Sequence, residues 1–106
     1  MNYLVWLLFI VAALLEVSGD ALVRRGLRGR APLWILIGCA ALALYGLLVN
    51  SVRWDFSKLL GVYVAFFAAM SVLFGRFVFR EDVPASTWCG LGLIILGGVV
   101  IQFGRR

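Results

Sequence analysis

Histidine is absent from all 106 residues. That removes the usual general base: Ser18, Ser51, Ser57, Ser71 and Ser86 have no imidazole to activate them as nucleophiles. No Gly-rich phosphate loop followed by Lys and Ser or Thr occurs, which excludes ATP hydrolysis by this chain. Cysteine occurs twice, at Cys39 and Cys89, both within apolar runs. Two such thiols make no disulfide framework and read as packed side chains. Without a Cys/His cluster there is no zinc site, and no metal or cofactor is expected. The chain is read as a non-enzyme. Charge is scarce too, at 14% of residues.

What fills the sequence is apolar: 64% of residues are hydrophobic, where soluble domains hold roughly half. Four runs, 3–23, 33–50, 59–79 and 85–103, each approach the ~20 residues a helix needs to cross the hydrocarbon core. A helix satisfies its own backbone groups, which lipid cannot do. The expected fold is therefore an all-α membrane protein, a single four-helix domain over 1–106. The first run has no Lys or Arg before it and does not read as a cleaved signal. Pro84 marks the start of the fourth helix. The net charge of +5 reads as head-group contacts and topology signals, not as a nucleic-acid footprint.

Basic residues divide weakly between the two sides. Arg24, Arg25, Arg28, Arg30, Arg76 and Arg80 belong to the first and third connections. Arg53, Lys58, Arg105 and Arg106 belong to the second connection and the C-terminus. Six against four is a small orienting bias. It places both termini outside, or lets copies insert in both senses. Two oppositely inserted copies would supply the inverted repeat that alternating access uses.

Glu16 lies two thirds along the first run. A carboxylate at that depth is costly unless it faces protein or a watery cavity, so it is a functional-site candidate. Burial disfavours its charged form, which makes it a place where a proton and a cation compete. Asp20 and Arg24 follow at four-residue steps on the same face, where they can also pair at the helix end. Ser18, Gly19 and Ala21 allow close approach. Tyr63 and Phe66, three apart, offer a phenol and an aromatic wall suited to a cation, or plain packing. Trp6, Trp34, Trp54 and Trp88 fall near span ends, where indoles favour the interface. Gly90, Gly92, Gly97 and Gly98 form a small-residue seam, read as a dimer contact in preference to intrachain packing. Arg76, Arg80, Glu81 and Asp82 read as a paired, solvated connection.

The run Glu16-Val17-x-Gly19-x-x-Leu22-x-Arg24 resembles the first-helix signature of the small multidrug resistance family. Leu33-Trp34, Tyr63-Val64-Ala65-Phe66 and the stretch from Gly90 to Gly97 resemble its second-, third- and fourth-helix motifs, in order. Asp55-Phe56-Ser57-Lys58 and Gln102-Phe103-Gly104-Arg105 look closer to a YnfA-like branch of the same superfamily. The resemblance implies an antiparallel, dual-topology homodimer in a bacterial inner membrane. It implies exchange of protons for small organic or lipophilic cations at a site shared by Glu16 of both copies. Tyr63, Phe66, Ser18 and Asp20 would shape that site. The departures are Asp20 for a small residue, Phe66 for Trp, and Ala68-Ala69-Met70 for a glycine hinge. They keep a second class open: a non-transporting or obligate-heteromeric subunit, such as half of a lipid-carrier flippase.

Overall fold

The structure, a computed structural model, describes residues 2–104. Among these it holds four α-helices: α1 (Asn2–Gly29), α2 (Pro32–Val49), α3 (Phe56–Phe77) and α4 (Ala85–Phe103). All four are long and apolar enough to cross a membrane. The four helices fall on the four apolar runs, with shifts at the ends of α1 and α3. α1 continues past Val23 to Gly29, because Arg and Leu are good helix formers and Gly26 is held against Ile35 of α2. α3 begins at Phe56 and ends at Phe77, without a break at Ala68-Ala69-Met70.

The chain divides into two helical hairpins, residues 1–53 and 54–106. In the first, α1 ends in a left-handed residue, Arg30 (φ 54°). The Ala31 amide then donates to the Gly26 carbonyl at 2.9 Å, which closes the helix. Pro32 opens α2, where its missing N–H costs nothing.

The two helices cross closely at a pair of glycines. A Cβ on Gly19 would stand 2.9 Å from the Gly38 carbonyl oxygen, and one on Gly38 would stand 2.7 Å from that of Gly19. Such reciprocal backbone contact needs both side chains to be absent. It also fixes the register. Gly26 meets Ile35, Val23 meets Gly38, and Gly19 meets Leu42. Each step back along α1 is matched by an equal step forward along α2. The same stride continues to Glu16 and Tyr45, then to Ala12 and Val49, both of which are buried.

The second hairpin pairs α3 with α4 in a looser way. Gly61 receives the end of Ile101, and Gly98 lies against Ala65. Leu59, Val62 and Tyr63 form its buried face. Between the helices Arg80 takes a left-handed conformation (φ 55°), and the Glu81 amide donates to the Gly75 carbonyl at 2.9 Å. The Glu81 carboxylate folds back over Gly75. At the start of α3, the Lys58 ammonium sits 4.4 Å from the Trp54 ring centre, an amphipathic pair suited to the head-group level.

The cysteine reading needs correction. Cys39 and Cys89 are free thiols on the exposed sides of α2 and α4, not packed groups. Exposure is what lipid-facing positions show when a membrane helix is viewed without its bilayer, and burial within the chain was the wrong inference for a small apolar residue there.

Substitution should read the glycine crossing directly. Gly38→Ala presses a methyl onto backbone atoms of Gly19 and Val23 that cannot swing aside, and is expected to destabilise the fold by about 1–3 kcal/mol. Gly46→Ala meets nothing within 4 Å and should be neutral or stabilise by up to about 1 kcal/mol. Unfolding in a denaturing-detergent titration measures both.

Candidate functional site

α1 positions the acid. Gly19 is buried against α2, and Glu16, three residues before it on the same face, is half-buried at the helix contact. Asp20, one turn on, is exposed. Ser18 is half-buried, but residues two apart do not share a helix face, so it does not stand beside Glu16.

The group beside the acid comes from α2. The stride from Gly26 and Ile35 through Val23 and Gly38 to Gly19 and Leu42 brings Tyr45 level with Glu16. The Tyr45 hydroxyl lies within electrostatic reach of both carboxylates, Glu16 more strongly than Asp20. Tyr45 is itself half-buried, and neither it nor Glu16 is without an interaction. A phenol can donate to a carboxylate or accept from a carboxylic acid, so it can follow Glu16 through both protonation states. Sequence reasoning missed Tyr45. In an apolar run an isolated tyrosine reads as packing. The available signal was the short Arg30-Ala31 connection with a small residue on each helix, Gly19 and Gly38, near it.

Tyr63 and Phe66 belong to the second hairpin. Tyr63 is buried and Phe66 half-buried, one turn apart on α3, and both are engaged in interactions. Of the α4 glycines, Gly98 is spent on packing against α3 within the chain. Gly90, Gly92 and Gly97 face open space: a Cβ on any of them meets nothing within 4 Å. Among the described residues no group of three or more metal-ligating side chains gathers.

Four apolar spans in two hairpins, with a carboxylate and a phenol set together inside one of them, define a multi-pass integral membrane protein. Residues 3–106 match the family model described as "Uncharacterised BCR, YnfA/UPF0060 family". The chain belongs to that family. It is 34% identical over 107 residues to a UPF0060 membrane protein of Pseudomonas paraeruginosa, covering 99% of this chain and 95% of the relative. It is 39% identical over 105 residues to one of Frankia casuarinae, covering 94% and 93%. A third, from Desulfitobacterium hafniense, is 29% identical over 102 residues, with 94% of each chain covered. No solved structure matches the chain.

The Glu16–Tyr45 pairing has a spectroscopic consequence. With a ¹³C-labelled carboxyl at Glu16, Tyr45→Phe is expected to move the midpoint of its pH titration, because the hydroxyl contacts one protonation state better than the other. Cys39→Ser, on the outside of α2, should leave that midpoint in place. An unmoved midpoint in Tyr45→Phe would separate the two groups.

Proposed function

We propose that this protein is a proton-coupled antiporter that exports small cationic or lipophilic compounds across a bacterial inner membrane, with Glu16 as the group that binds either proton or cation. The observation that carries this reading is the placement of Glu16. It lies inside a span, half-buried at a helix contact, and has a phenol at its side. A carboxylate there is too costly to keep for packing alone. In its ionised form it attracts a cation; in its protonated form it does not. Loading one therefore displaces the other, which is the minimum requirement for exchange.

Tyr45 holds the carboxyl in place within the same hairpin, and Asp20 extends negative charge toward the end of α1. In the second hairpin, half-buried Phe66 carries an aromatic face of the kind an organic cation favours. The ordered resemblance to the small multidrug resistance family supports the same chemistry. It also supports an antiparallel pair of copies, so that the small charge bias and the open glycines of α4 serve one assembly. Gly90, Gly92 and Gly97 are the glycines left available for contact with a second copy.

Reconstituted vesicles test the assignment. A proton gradient should drive uptake of guanidinium, quaternary ammonium or aromatic cations from a panel. Glu16→Gln should abolish coupled movement, and Glu16→Asp should retain part of it. Cation binding should weaken as pH falls, because protons occupy the same carboxylate. Full coupled transport by Glu16→Gln, or cation binding indifferent to pH, would reject the role of Glu16.

A further inference from the structure

We propose that the tip of the first hairpin is a binding site for anionic phospholipid, with Arg25, Arg28 and Arg30 holding the phosphodiester. Four observations meet there. The first is length. α1 has 28 residues, about 42 Å at 1.5 Å per residue, against a hydrocarbon core of about 30 Å. The apolar run ends at Val23, so the last turns of the helix, Arg24 to Gly29, stand at the level of the lipid phosphates as a rigid rod and not as a loose connection.

The second is direction. Gly26 faces α2, with Ile35 and the Ala31 carbonyl against it. At about 100° per residue, Arg28 lies on the far side of the helix from Gly26 and Arg25 on its flank, three residues apart and therefore neighbours. Both are exposed, and exposed Leu27 stands between them in sequence.

The third is charge. No acidic residue occurs between Asp20 and Asp55. Arg25, Arg28 and Arg30 thus have no acidic residue near them in sequence beyond Asp20, whereas Glu81 and Asp82 follow Arg76 and Arg80 in the other hairpin. One cation, Arg28 in the last turn, suffices to match the helix C-terminus. The tip carries more than helix capping requires, and every one of its cations is arginine. The chain's single lysine, Lys58, lies elsewhere. A guanidinium fork fits a phosphate oxygen pair, which an ammonium does not.

The fourth is strain. Arg30 occupies the left-handed conformation that ends α1, a position where glycine is favoured and an ordinary side chain costs roughly 1–2 kcal/mol. Arg80 of the other hairpin has the same conformation with Glu81 and Asp82 beside it, whereas at Arg30 the strained, exposed side chain has no acid next to it in sequence. A polybasic cluster at the membrane surface attracts acidic lipid. Nothing in this site depends on Glu16.

Lipid retention decides the matter. The full chain is reconstituted in equal mixtures of phosphatidylglycerol and phosphatidylcholine, extracted in mild detergent, and its bound lipid counted by native mass spectrometry. Wild type is expected to keep phosphatidylglycerol several-fold over phosphatidylcholine. The triple variant Arg25→Gln, Arg28→Gln, Arg30→Gln is expected to keep the two equally. The corresponding triple Lys variant preserves the orienting charge, so it inserts as wild type does; it is expected to keep the preference but to hold less phosphatidylglycerol in total, because an ammonium grips the phosphate as a point charge and not as a fork. Equal retention of the two lipids by wild type would overturn the site. So would a preference that survives in the Gln variant, or phosphatidylglycerol retention undiminished in the Lys variant.

Discussion

The contact on which the rest depends is the reciprocal approach of Gly19 and Gly38. Two helices in lipid gain nothing from hiding apolar surface, because the tails around them are equally apolar. What they gain comes from close packing, and here it is taken backbone to backbone, with each glycine against the other's carbonyl oxygen. That contact permits one register between α1 and α2. The register in turn selects which α2 side chain lies beside the intramembrane acid. A slip of one residue would carry the phenol of Tyr45 to another side of the helix and leave Glu16 facing aliphatic groups.

The site is therefore a product of steric constraint before it is a product of electrostatics. Gly26, Val23, Gly19, Glu16 and Ala12 follow one another along the face of α1 that meets α2, and Glu16 is half-buried on that face. There it is neither sealed nor fully exposed, which an exchangeable group needs. A fully enclosed carboxylate would stay protonated, and one facing lipid would have nothing to exchange with. The phenol gives a partner able to donate or accept, so neither protonation state is left without a contact.

Much of this was legible in the residues. The four spans follow from hydropathy and length, and Glu16 stands out by cost alone. Two things were hidden for physical reasons. The C-terminal turns of α1 carry Arg24, Arg25 and Arg28, which break the apolar pattern without breaking the helix, since arginine is a good helix former. Tyr45 could not be distinguished from packing aromatics until the register was known, and register is a property of two helices together. The cysteines fell to the opposite error: in membrane helices an apolar residue is as much at home outside as inside, so Cys39 and Cys89 gave no sign of facing outward. Gly98 and Gly97 show the same limit, adjacent in sequence yet one packed on α3 and the other open.

The central claim is that one carboxyl group is occupied by a proton or by an organic cation, never by both. Its most direct test is to count protons as cations bind. Purified protein in lightly buffered detergent solution, near the midpoint of the Glu16 titration, is mixed with a saturating quaternary ammonium ligand while pH is followed. Release of protons by wild type, and none by Glu16→Gln, is the expected result. Cation binding with no proton released by wild type, or undiminished release by Glu16→Gln, would contradict the account.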